Sequence, residues 1–521
     1  MLRTDLIASI PALLRRHAAA RGGQCAYRDA QTSVTYAELH ERTGKLAGHL
    51  ADNGIAANDT VAIMLPNSVQ WVESCLAIAR AGAISVPISY DSTETEIGYR
   101  LTDANCKAVF TTAERGDLFG RLQASAPNLT TLIVTDRGTC GAPALRYTDL
   151  LMAPPQSAPR DPASLHDTAF ILYTSGTTGR AKGVRLTVHG MLWVTAACWA
   201  PITGLSNRDT VLSPLPLFHS YALNLSVLSI LATGASEYIM EKFSTSDAVR
   251  LLKTGEFTYF PGVPTMFHYL LQATRGEQKV TFPNVRLCVS AGAIMPATLN
   301  REFEDHLGIQ LLDGYGITET STMVTMNWPT GGRILGSCGI PLPGLAVRIV
   351  DINGRDVAPN QEGELIVHGP NVMPGYHNKP EETRNALRDG WYHTGDLAKR
   401  DENGFVTITG RLKELIIRGG QNIAPAEIEE VVNSFAAVLD CAVVGTAHEH
   451  LGEVPALFVV PRPEAAFETE ALLAHCRIHL SAYKVPHSVQ LISEIPRTGS
   501  GKIIRYKLRK LIKGESAGLT A

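Results

Sequence analysis

The stretch "YTSGTTGRAKG", Tyr173 to Gly183, decides how the rest of the chain is read. It continues the apolar run "FILY", which has the length and composition of a short buried strand. Three glycines, five hydroxyl side chains and Lys182 then crowd into eleven residues. Such a segment is too flexible for a strand and too polar for a core. Glycines let backbone N–H groups converge on a small anion, and hydroxyls add donors. Lys182 supplies a point charge suited to a phosphate. The spacing G-x-x-G-x-x-K-G, with no Ser or Thr after the lysine, is not a Walker A loop. Taken alone, the segment also fits a flexible surface loop.

Around it, strand-like runs alternate with helical patterns, which argues for α/β layers. "VAIMLP" (61–66), "NVRLCVSAGA" and "IQLLDGYG" read as strands, the last two ending in glycine-bearing turns. "LAVRIVD" and "GELIVHG" read as antiparallel strands of a smaller sheet. Beyond Arg411 the texture changes. "FVTITGRLKELIIRGGQNI" reads as one hairpin turning near Gly410 to Lys413. "PAEIEEVVNSF" opens a helix with Pro425 and acidic residues in its first turn, followed by the strands "CAVVG" and "ALFVV". The fold class expected is α/β: a large N-terminal domain of layered α/β subdomains over 1–411, and a small α+β domain over 412–521.

The bulk numbers narrow the function classes. A chain of 521 residues exceeds one ordinary core. With 45% hydrophobic and 19% charged residues it is globular rather than disordered. A net charge of −3 gives no reason to expect nucleic acid or a membrane surface as partner. The nine cysteines are scattered and form no C-x-x-C pair, so neither a disulfide framework nor a zinc site is expected and a cytoplasmic location fits. The N-terminal segment reads as a short amphipathic helix rather than a signal peptide, and no 18-residue apolar run suggests a transmembrane segment.

The opening stretch closely resembles the phosphate-loop signature of the AMP-forming adenylating enzymes, the superfamily of acyl-CoA synthetases, adenylation domains and beetle luciferases. Further stretches match it in order: "PLFHSYAL" (216–223), "GYGITET" (314–320), "GWYHTGDL" (390–397), "GRLKELIIRGGQNIAPAEIE" (410–429) and "PRTGSGKIIRYKL" (496–508). The resemblance covers nearly the whole chain and is strongest toward acyl-CoA synthetases. Ala181 departs from it, standing where the family usually has proline.

The resemblance implies an ATP site made by Thr174, Ser175, Gly176, Thr177, Thr178, Gly179 and Lys182, with Gly292, Ala293, Gly314, Tyr315, Gly316, Thr318, Asp396 and Arg411. Asp396 would accept both ribose hydroxyls, a task suited to a carboxylate that only accepts. Glu319 would organise Mg2+, which takes oxygen ligands. Lys502 would neutralise charge as pyrophosphate leaves. With Thr318 and His219 these form the implied catalytic set. The resemblance also implies that the small domain is mobile, with Lys413 as its hinge, and that Gly419, Gly420 and Lys484 form the channel for the acceptor, coenzyme A. The implied acyl pocket is Trp193, His219, Tyr221, Val263, Ala291, Gly292, Ile317 and Met323, which suits a fatty, alicyclic or aromatic acid. "HSYALNL" lacks the carboxylate that grips the amine in amino-acid-activating relatives.

The implied activity has two steps: a carboxylate attacks ATP to give acyl-AMP and pyrophosphate, then CoA takes the acyl group as a thioester. His487, where lysine is common, and Leu451, where some CoA ligases carry an aromatic, leave an amine acceptor and an amide product open. A non-catalytic nucleotide-binding relative is the remaining alternative, opposed by the joint presence of Lys182, Glu319, Asp396, Arg411 and Lys502. The identity of the acid and the oligomeric state are not fixed by the sequence.

Overall fold

The computed structural model describes residues 2–174, 181–275, 281–419, 421–463, 466–498 and 501–512. Two large sheets carry most of the chain before residue 340. In the first, the strands Leu311–Ile317, Leu287–Ser290, Tyr259–Gly262, Thr210–Ser213, Ser236–Ile239 and Cys25–Arg28 lie side by side and parallel. The second holds the parallel strands Thr168–Thr174, Ile84–Pro87, Thr60–Ile63, Ala108–Thr111 and Thr131–Val134. Many of these strands are buried along their whole length, and their sequences are accordingly continuous apolar runs. Helices with sequence-encoded starts cover the sheets. Tyr36–Asp52 begins with a full capping box between Thr35 and Glu38, and Ile10–Arg21 carries Pro11 in its first turn.

A third sheet, antiparallel, follows from "LAVRIVD" and "GELIVHG" as expected. Ala346–Val350 pairs with Gly363–His368, which pairs with Trp391–Arg400, which in turn pairs with Val406–Arg411. The fourth is built from Ile416–Arg418, Gln421–Ile423, Val438–His448, Gly452–Pro461 and Ser488–Leu491, and packs against the helices Pro425–Asn433 and Thr469–His479.

One sequence expectation is corrected here. Residues 405–423 do not form a single hairpin. Val406–Arg411 belongs to the third sheet, and the chain crosses to the fourth through the short 3-10 turn Leu412–Glu414. The hairpin lies one strand later, where Ile416–Arg418 pairs with Gln421–Ile423. Both runs alternate alike, so periodicity could not separate them; the turn belongs to Gly419, whose φ of 55° sits in the left-handed region. Among the described residues no helix is long and apolar enough to cross a membrane.

Candidate active site

The site forms where the parallel strands of the first sheet end at their carboxyl edges and the lysine loop of the C-terminal region reaches across. Open parallel sheets collect ligands at such edges. A cavity of about 1580 Å³ lies there. Gly292, Ala293, Gly314, Tyr315, Gly316, Ile317, Asp396, Arg411, Lys413 and Lys502 all line it, so the cleft gathers residues spread over 210 positions of the chain.

"GYGITET" occupies the end of Leu311–Ile317 and the turn into Thr322–Met326. The two strands pair closely enough that a Cβ on Gly316 would lie 1.6 Å from the Thr322 carbonyl oxygen. After the 3-10 turn Thr318–Thr320, Ser321 has φ 53° and Thr322 φ 112°. A buried β-branched residue at positive φ is strained, and such strain persists only where neighbours impose it. Here they do: the Thr322 hydroxyl donates to the Ser220 carbonyl at 3.1 Å, the Ser321 hydroxyl to the Asn371 carbonyl at 2.7 Å, and the Asn371 amide to the Thr320 and Met323 carbonyls at 2.8 and 3.0 Å. Glu319 is half-buried at the tip of this turn, and the Thr318 hydroxyl lies 3.1 Å from that of Ser220.

Asp396 and Arg411 sit opposite one another in register on neighbouring strands. Arg411 Nε lies 2.7 Å from Asp396 Oδ1, and the Tyr315 hydroxyl donates to Asp396 Oδ2 at 2.5 Å. A carboxylate that is 2% exposed needs such partners, because an unpaired buried charge is costly. The aspartate holds the Arg411 guanidinium above its ordinary pKa, and burial with the Asp396 charge pushes the Tyr315 phenol up.

Lys502 is presented by a tight loop. Thr498 and Lys502 exchange hydrogen bonds, and Gly501 turns the chain at φ 81°. Arg497 braces the loop by donating to the Gly501 carbonyl at 2.9 Å while pairing with Asp440 at 2.9 Å. The tip seats against Val263, whose Cγ2 lies 3.1 Å from where a Gly501 Cβ would stand. Desolvation and the nearby Arg411 pull the Lys502 ammonium below its ordinary pKa, opposed by Asp396 and Glu319. His219 lies in the same field: burial and the Lys502 charge lower its pKa to about 3. The Tyr221 N–H donates to its Nδ1 at 3.4 Å, so the neutral ring carries its proton on Nε2.

The remaining predicted residues divide. Thr174 and Lys182 face each other in register across the base of the phosphate loop. Ser175, Gly176, Thr177, Thr178, Gly179 and, in the acceptor hairpin, Gly420 lie outside the described residues. Tyr221, Val263, Ala291, Ile317 and Met323 are buried in one apolar core, with Tyr221 stacked on Trp199. Trp193 packs against the edge of the same core, beside His189 and Gly344; like Tyr221, Val263, Ala291 and Met323, it is not among the residues lining the large cavity. Gly419 donates to the Leu451 carbonyl at 2.7 Å and Lys484 pairs with Glu427; neither lines the cavity. The structure also adds residues that motif reading missed. Asp313 lines the cavity with its Oδ1 buried and without a partner, and burial raises its carboxyl pKa well above the usual range. Its signal was a lone carboxylate inside an apolar strand. Asn371 carried no signal, because its importance rests on contacts about fifty residues away.

Among the described residues no three His, Cys, Asp or Glu side chains gather as metal ligands. Glu319 and the Thr318 hydroxyl are oxygen donors, which suits a magnesium ion held largely by phosphate oxygens.

The AMP-binding enzyme family matches residues 14–377, and its C-terminal domain matches residues 427–502. The chain is 34% identical over 486 residues to the feruloyl-CoA synthase of Amycolatopsis sp, covering 93% of this chain and 95% of that protein. The structure resembles ATP-bound MatB from Rhodopseudomonas palustris with a TM-score of 0.88 and 31% identity, over 96% of this chain and 99% of that one. It also resembles the o-succinylbenzoate CoA synthetase (MenE) of Bacillus subtilis in complex with its acyl-adenylate intermediate, with a TM-score of 0.83 and 27% identity, over 95% and 97% of the two chains. A glycine-walled cleft holding Asp396, Arg411 and Lys502, on a chain matched by both domains, establishes that this protein belongs to the AMP-binding enzymes.

Proposed function

We propose that the protein is an AMP-forming acid–CoA ligase acting on a carboxylic acid with an apolar tail. The observation that carries this reading is that Lys502, although it arrives from the far end of the chain, lines one cavity with Arg411 and Asp396 and lies within electrostatic reach of Glu319. In the first step a carboxylate oxygen of the acid attacks the α-phosphorus of ATP, the bond to the bridging oxygen breaks, and pyrophosphate departs. Lys502 offsets negative charge on the oxygens around that phosphorus, and Lys182 with the loop 174–179 holds the outer phosphates. Asp396 accepts the ribose hydroxyls while Arg411 pairs with its other face. Asp313, with an unpartnered buried oxygen in the cavity wall, provides a polar contact for the base. Magnesium, when bound by Glu319 and the Thr318 hydroxyl, neutralises charge on the phosphates. In the second step the CoA sulfur, having lost its proton, attacks the acyl carbon and AMP leaves.

The cluster of Tyr221, Val263, Ala291, Ile317 and Met323 supports an apolar acid. Named relatives include ligases of feruloyl and long-chain fatty substrates, which support CoA as the acceptor. We infer a boundary at 411/412, with residues 412–521 turning about Lys413 so that the lysine loop and the Gly419–Gly420 hairpin visit the cleft in turn. Nine cysteines without a disulfide support a cytoplasmic setting. The decisive experiment is a carboxylic-acid panel read by pyrophosphate release, with and without CoA, and by mass spectrometry of the product. Acid-dependent pyrophosphate release and a thioester product are expected. Amide formation with a supplied amine and no thioester would overturn the acceptor; no release with any acid would overturn the enzyme.

A further inference from the structure

The segment 371–377 belongs to none of the motifs that assigned the site, yet it holds two of the site's charged groups at once. On one side it grips the Glu319 turn: the Met373 N–H donates to the Glu319 carbonyl at 2.8 Å, and the Asn371 amide holds the carbonyls on either side of the strained Ser321–Thr322 pair. On the other it forms an edge strand against the strand that begins at Lys182. Gly375 pairs with Arg185, Tyr376 with Val184, and the His377 N–H donates to the Gly183 carbonyl at 2.7 Å. Tyr376 joins the two sides through one side chain. Its hydroxyl donates to Glu319 Oε1 at 3.1 Å, and Lys182 Nζ lies over its ring at 5.1 Å from the centroid. The ring is 9% exposed, so water does not compete freely for either contact.

From this geometry we infer that Tyr376 is a positioning residue that couples the phosphate-loop lysine to the magnesium-binding carboxylate. The hydroxyl fixes one oxygen of Glu319 and leaves the other free for the ion. The ring face attracts the ammonium and restricts where it can meet the outer phosphates. The inference rests on Glu319 being the magnesium ligand, as proposed above.

The test uses the full chain with ATP, titrated calorimetrically in EDTA and then at a series of magnesium concentrations. No acid is needed. Tyr376→Phe removes the bond to Glu319 and keeps the ring under Lys182. It is expected to cut the magnesium-dependent gain in ATP affinity about ten- to a hundredfold, the range for a hydrogen bond to a charged group. ATP affinity in EDTA should stay at the wild-type value. Tyr376→Leu removes the ring as well and should weaken ATP binding in EDTA too; if that variant fails to fold, Tyr376→Phe carries the test alone. Glu319→Gln separates the two claims. Magnesium linkage lost in Glu319→Gln but intact in Tyr376→Phe overturns the role of Tyr376 and leaves the assignment of Glu319 standing. Linkage intact in both overturns the two together.

Discussion

Gly316→Ala is the sharpest test of how the site is built. The new methyl would lie 1.6 Å from the Thr322 carbonyl oxygen, 2.3 Å from its carbon and 2.7 Å from the Met323 Cα. All three are backbone atoms, so no side-chain rotation relieves the clash. Reaching even a tight contact requires the two strands to part by about 1.4 Å. The parting breaks the Gly316–Met323 pairing and pulls on the strained Thr322. Two lost backbone hydrogen bonds at about 1 kcal/mol each, with overpacking strain of about 1–3 kcal/mol, give a destabilisation of ~3–5 kcal/mol. Tyr315, next in the chain, would carry its hydroxyl away from Asp396, and misplacement of that order costs about 10²-fold in rate. The assay is ATP–pyrophosphate exchange with a substrate acid, beside thermal unfolding. Gly332→Ala is the control, because a Cβ there meets nothing within 4 Å and φ is not positive. Wild-type exchange and wild-type melting in Gly316→Ala would refute the reasoning, and equal losses in the control would show that the effect is not local.

Two further outcomes follow from the lysine loop and its neighbour. Lys502→Ala should lower adenylation by about 10²-fold or more while leaving transfer from supplied acyl-AMP to CoA largely intact; equal loss of both half-reactions would sink the two-pose mechanism. His219, with its pKa lowered to about 3, stays neutral across the working range, so the pH profile of adenylation between 5 and 8 should keep its shape in His219→Gln. Its linkage to stability has a definite sign. As pH falls from the unfolded value near 6.5 toward 3, the unfolded chain takes up a proton that the folded ring refuses, so the native state loses stability in that window, and His219→Gln should show less of this loss.

Much of this architecture was legible because backbone chemistry leaves marks in sequence. Strands that end in glycine turns, such as "LCVSAGA" and "LLDGYG", announce where chain and ligand approach closely. Asp396 and Arg411 were read as separate motif members, and only the strand register shows that they form one ion pair. The hairpin at 416–423 was misplaced because strand partners are chosen by tertiary packing, which alternation does not record. Tyr376 was invisible for a similar reason: its partners, Glu319 and Lys182, are 57 and 194 positions away, and no local pattern marks a contact of that span.

The Asp396–Arg411 pair has one consequence for motion. Arg411 ends its strand, and the crossing at Leu412–Glu414 begins with the next residue. A lever sweeps least at its fulcrum. If the C-terminal part turns there, Lys502, about ninety residues downstream, swings through a wide arc while the Asp396–Arg411 pair, proposed to hold the nucleotide's sugar, barely shifts. The enzyme could then exchange its entire reactive equipment between half-reactions without letting go of the leaving group it has just made.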